Sequence, residues 1–103
     1  MTFSERVVKI ALSIPKGRVT TYGRIARAAG GEAMSAQSIT SILSKATAAS
    51  LNIPYHRIVY ADGKIWISER RRKERMKLYK KEGIEIDEKD RVKNFRDLLL
   101  EFK

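Results

Sequence analysis

"TYGRIARAAGGEAMSAQSITSILSKA" occupies residues 21–46. Its reading decides the fold. Thr21 is placed to cap a helix from Tyr22 to about Ala29, with Ile25 and Ala26 facing inward. Gly30 and Gly31 stop that helix, because glycine accepts the left-handed backbone of a helix end. Ser35 is placed to cap a further helix with Ile39, Ile42, Leu43 and Ala46 as its apolar stripe. Its other face carries Ser38, Ser41 and Lys45. Two short helices split by a glycine-bearing turn form the helix-turn-helix pattern. Small and basic side chains on the second helix permit close approach to a DNA backbone, and an ordinary solvated face has the same composition.

Working outward, "TFSE" (2–5) has the form of a capping box, and Phe3, Val7, Ile10, Ala11 and Ile14 follow at helical spacing. Pro15 ends that helix, "PKG" (15–17) is turn chemistry, and "RVTTY" enters the next element in extended form. "RIVYADGKIWI" (57–67) reads as two apolar runs around a D-G turn, hence a small hairpin or wing. "ERRRKERMKLYKKEG" (69–83) is helical, with Met76 and Tyr79 as inward anchors and Gly83 as its stop. Eight of its residues are Lys or Arg, a solvated face or a phosphate-facing one. In the tail, Val92, Phe95, Leu99 and Phe102 recur near helical spacing, so residues 85–103 read as a helical tail packed on the core or held for a partner.

The chain has 103 residues, which predicts one domain, and no cysteine, which excludes disulfides and thiolate metal sites. No apolar run approaches a membrane span, and the charged N-terminus is unlike a signal peptide. The expectation is a soluble, cytoplasmic, nucleoid-associated monomer. Twenty-two Lys and Arg face 12 Asp and Glu, a formal net charge of +10. Such a field favours polyanions, nucleic acid before anionic membrane. The predicted class is therefore α+β, mostly helical, with a winged helix-turn-helix.

Chemistry is sparse. His56 is the only histidine, which rules out a multi-histidine metal site, and no cofactor is implied. Tyr55 lies between Pro54 and His56 and could be activated by that imidazole. Phenols, however, ionise near pH ~10 and are weak nucleophiles at neutral pH. On the residues alone, the favoured reading is that Pro54, Tyr55 and His56 shape a buried turn, with His56 hydrogen-bonded to backbone.

"IPKGRVTTYGRIARAAG" (14–30), "IPYHRIV" (53–59), "DGK" (62–64) and "KKEG" (80–83) together carry a family resemblance. Over about residues 3–84 the chain resembles the C-terminal domain of O6-alkylguanine-DNA alkyltransferases. It is closest in kind to the alkyltransferase-like branch, which lacks the acceptor cysteine of the P-C-H-R-V motif. The resemblance puts Tyr55 at the acceptor position. It implies a non-enzymatic protein that flips O6-alkylguanine out of double-stranded DNA, entered by the minor groove, and flags it for nucleotide excision repair.

By the same resemblance, Tyr22 presses on the phosphate and helps rotate the nucleotide. Tyr22, Tyr55, Trp66, Ser68 and Glu69 would line the lesion pocket, although Trp66 also reads as core. Pro54, His56 and Glu82 would support the loop. Arg57 would brace the site or contact a phosphate. The family's wedge arginine is absent: the apolar stripe puts Gln37 in its place, and ungapped counting puts Ser38 there. The remaining DNA contacts would come from Ser41 and Lys45. Rival readings are a winged-helix regulator without lesion preference, a partner-binding domain, and alkyl transfer onto Tyr55 or Glu69.

Overall fold

The structure, a computed structural model, describes residues 2–31, 36–65 and 69–100, with the side chains at 36 and 37 outside the description. Helix α1 (Phe3–Leu12) opens on a complete capping box. The Thr2 hydroxyl accepts from the Glu5 N–H, and the Glu5 carboxylate accepts from the Thr2 N–H. It ends before Pro15, at Ser13, whose hydroxyl donates to the Ile10 carbonyl at 2.6 Å. Ile14 lies beyond the helix yet is still buried. Strand β1 (Thr20–Thr21) leads directly into α2 (Tyr22–Ala28), with the Thr21 hydroxyl accepting from the Arg24 N–H as its cap. Helix α3 (Ala36–Ala48) follows. The expected cap, Ser35, lies outside the described residues.

Helices α1, α2 and α3 pack on one another. Val7, Ala11, Ile25, Ala26, Ile39 and Leu43 fill the space between them. A second cluster, with Val19, Val59, Ile65, Tyr79, Ile84 and Val92, lies under α4 (Arg72–Glu82). Between the two runs a small parallel sheet, in which Thr20 and Thr21 of β1 pair with Ile58 and Val59 of β2 (Ile58–Val59). Successive strand residues point to opposite faces, so Ile58 enters the first cluster and Val59 the second. Two strand residues thus join the two halves of the core.

The expected hairpin over 57–67 takes a different form. The D-G turn exists: the Gly63 N–H donates to the Tyr60 carbonyl, and the Tyr60 N–H to the Lys64 carbonyl. The run before it, however, pairs with β1, some forty residues upstream, and Lys64 pairs with Arg91 of the tail. Trp66 and Ile67, in the second run, lie outside the described residues.

The helical tail is also corrected. Only α5 (Phe95–Leu98) is helical among the described tail residues. Asp90 and Asn94 adopt positive φ (59° and 56°), which no continuing helix allows. Val19 then takes the following backbone into sheet pairing, donating to Leu98 at 3.0 Å and accepting from Leu100 at 2.7 Å. The Arg18 guanidinium donates to the Leu98 and Leu99 carbonyls. The tail packs on the core as an edge beside β1, and Phe102 lies outside the described residues.

Gly63 couples turn and tail. Its φ is +85°, and a Cβ there would stand 3.0 Å from the Phe95 ring. Gly63→Ala is expected to cost about 1–3 kcal/mol in urea unfolding. Gly23, near the start of α2, has open space where a Cβ would sit, and Gly23→Ala is expected to gain up to about 1 kcal/mol.

Candidate nucleic-acid interface

Pro54 precedes a single 3-10 turn, Tyr55–Arg57, closed by the Arg57 N–H donating to the Pro54 carbonyl at 3.0 Å. The turn splits its three side chains: Tyr55 is half-buried toward α3, whereas His56 and Arg57 turn inward. The Tyr55 hydroxyl lies 2.7 Å from the Thr47 hydroxyl. Thr47 has one hydroxyl proton and is 3.1 Å from the Leu43 carbonyl, an acceptor. With that proton on Leu43, Tyr55 is the donor to Thr47.

His56 and Arg57 converge on Glu82, at the end of α4. Arg57 grips its carboxylate through Nε at 3.0 Å and Nη2 at 2.8 Å, and His56 Nε2 meets the same group. The Gly17 N–H adds a third donor at 3.1 Å. Arg57 Nη1 donates to the Ile14 carbonyl at 2.9 Å. Burial opposes ionisation of Glu82, but the hydrogen bonds from Arg57, His56 and Gly17 outweigh it and hold the carboxyl at about 2. Burial lowers the His56 pKa, with Glu82 opposing. Neutral His56 therefore donates Nε2–H to a carboxylate whose counter-charge is Arg57. That guanidinium is bound inside the molecule, to Glu82 and to the Ile14 carbonyl.

Tyr22 is buried, and its hydroxyl bonds to Thr40 on α3. Burial, then the neighbouring Tyr60, raise its pKa, and Thr40 and Arg75 work the other way. The Tyr22 and Tyr60 ring centroids are 5.7 Å apart at 45°. Thr40 and Thr47 are seven residues apart, hence two turns along one face of α3. Each holds a phenol, so Tyr60, Tyr22 and Tyr55 are grouped along that helix. Of the remaining expected contacts, Ser41 and Lys45 are exposed and Ser38 is half-buried. The Gln37 side chain, Trp66 and Ser68 lie outside the described residues.

Tyr55 opens on a cleft of about 630 Å³ between the 52–57 loop and α4, within the size range of small-ligand sites. Pro54, His56 and Arg57 line it from the loop, Arg75 and Lys81 from α4, and Arg71 from the turn just before α4. Glu69 is exposed in the turn before α4, outside this lining. Among the described residues no group of three His, Cys, Asp or Glu could hold a metal ion, and no helix is long and apolar enough to cross a membrane. Sequence reasoning missed Thr40, Thr47, Tyr60 and Arg75. The seven-residue spacing of the two threonines was the available signal.

A family model described as "6-O-methylguanine DNA methyltransferase, DNA binding domain" matches residues 2–84. The chain belongs to this family. Among relatives, a DNA base-flipping protein of Escherichia coli is 38% identical over 64 residues, covering 62% of this chain and 48% of that protein. A DNA base-flipping protein of Vibrio parahaemolyticus is 31% identical over 86 residues, 84% of each. The chain thus spans about half the length of the Escherichia coli relative. Among solved structures, S. pombe Atl1 in complex with damaged DNA containing O6-carboxymethylguanine superposes with a TM-score of 0.74 at 25% identity. That match covers 97% of this chain and 95% of the other. An S. pombe ATL–DNA complex aligns as well, at 26% identity. In this methyltransferase-type DNA-binding domain the matched span takes in the Glu82 cluster and stops at Ile84, before the tail that borders β1.

Glu82→Gln removes the counter-charge of a mostly buried guanidinium and is expected to cost about 3–5 kcal/mol in denaturant unfolding. A depressed carboxyl pKa stabilises above the unfolded-state value of 4.5 and loses that stability as pH falls toward about 2. The lowered His56 pKa acts in the same direction, with stability lost as pH drops below 6.5. Wild-type stability is expected to fall with acid through these windows, and Glu82→Gln to flatten the lower one.

Proposed function

We propose that the protein binds O6-alkylguanine in double-stranded DNA by turning the damaged nucleotide out of the helix into the cleft beside Tyr55, and that it transfers nothing. The observation that carries this reading is the state of Tyr55. By its motif resemblance it stands where the family has its acceptor cysteine, in a chain with no cysteine, and its hydroxyl is tied to Thr47. The neighbouring imidazole directs its Nε2 to Glu82, and the hydroxyl bonds to Thr47 instead of to that ring. A thiolate attacks an alkyl carbon; a neutral phenol hydrogen-bonded to a threonine is a weak nucleophile and offers a ring face and a polar edge. Alkyl transfer onto Glu69 meets a further obstacle, since that carboxylate is outside the cleft lining.

The names of the base-flipping relatives and the Atl1 complex with damaged DNA support the lesion-binding part of this reading. The net charge of +10 supports sequence-independent affinity that falls with salt. Helix α3, with its small outer residues, is the element that enters the minor groove. Extruding a base costs a few kcal/mol, recovered by contacts in the cleft and along the helix. The protein acts as a monomer, and a nucleotide excision repair factor reads the resulting complex.

Two duplexes that differ only in one O6-methylguanine test this, titrated at matched salt. Wild type is expected to prefer the damaged duplex, and equal affinities would return the protein to a winged-helix regulator without lesion preference. Tyr55→Ala is expected to lose most of that preference, on the order of 10-fold, while affinity for the undamaged duplex changes little. Equal losses on both duplexes would make Tyr55 a structural residue.

A further inference from the structure

Tyr60 has no role in the function above, yet its position is unusual. It immediately follows β2, and its backbone is fixed on both sides by the D-G turn, donating to Lys64 and accepting from Gly63. Its side chain is 38% exposed, one of few large apolar side chains so exposed among the described residues. The covered part of the ring rests on Tyr22. Tyr22 is itself immobilised, buried and bonded to Thr40. Tyr60 is therefore a half-open aromatic surface on a rigid support, at the edge of the helix that enters DNA.

The sequence also creates a need for such a surface. A flipped nucleotide leaves a gap, and an inserted or stacked side chain must hold the neighbours. Neither Gln37 nor Ser38 can stack as a guanidinium does. An aromatic ring stacks on any base, because every base has a π-face.

Resting on the lesion-binding reading, we propose that Tyr60 is a DNA-contacting residue that stacks on the nucleotide flanking the extruded one, with Tyr22 as its backing ring. The ligand it takes is an unpaired or unstacked nucleobase of the damaged strand. The Tyr60 hydroxyl is not required, and the ring is.

The test uses the full chain, a duplex with one O6-methylguanine and the matched undamaged duplex. Tyr60→Leu keeps an apolar cover over Tyr22 and removes the ring; Tyr60→Phe keeps the ring. Tyr60→Leu is expected to weaken binding of the damaged duplex on the order of 10-fold or more, and Tyr60→Phe to bind as wild type. With 2-aminopurine beside the lesion, wild type and Tyr60→Phe are expected to quench its emission on binding, and Tyr60→Leu to leave it bright. Thermal melts of each variant establish folding. If Tyr60→Leu melted early, the Phe variant and the 2-aminopurine signal with wild type would still decide: an unquenched probe in the wild-type complex overturns the inference. Equal affinity and equal quenching for a folded Tyr60→Leu overturn it too, and leave the lesion-binding reading standing. Failure of wild type to distinguish the two duplexes would overturn both.

Discussion

The site depends on one carboxylate. Glu82, at the end of α4, accepts from the turn that carries Tyr55 and from the Gly17 turn that leads into β1. Three segments far apart in sequence are thereby joined at a point with little solvent access. A buried carboxylate in an apolar surround would be unstable alone. Here the bidentate arginine and two further donors keep it ionised. The arrangement fixes the backbone of residues 55–57, and so decides that Tyr55 faces the cleft while its neighbours face inward.

On the proposed reading, that division of labour gives the motif a structural role that needs no thiol. In a thiol-bearing site an imidazole next to a carboxylate can serve proton transfer. In this chain the same His–Glu contact stands beside a phenol, and the sequence holds no thiol. It acts as a clamp, and the energetic consequence of breaking it is structural. Thr47 completes the arrangement from the other side, holding the phenol by its proton.

Local signals were readable where one residue type answers one backbone need. Thr2, Thr21 and Gly83 mark helix ends because capping is a contact between residues three to five apart. The stripe of α3 and the inward Tyr79 followed from helical spacing in the same way. The β1–β2 pairing was not readable, because two-residue strands forty positions apart leave no period in the sequence. The tail misled: Val92, Phe95 and Leu99 have helical spacing, but the left-handed Asp90 and Asn94 and the pairing with Val19 decide its shape. Within the site, the identities of Tyr55, His56 and Glu82 came through the family resemblance. That Arg57 is internal, and that Thr47 holds Tyr55, are long-range facts that required the fold.

The central claim is that a damaged base is held and nothing is taken from it. Intact-mass analysis of protein recovered after saturating incubation with an O6-methylguanine duplex, with the lesion content of the DNA measured in the same sample, tests it most directly. The account predicts an unchanged protein mass and undiminished O6-methylguanine. A stable added methyl group on the protein, with matching loss from the DNA, would contradict it.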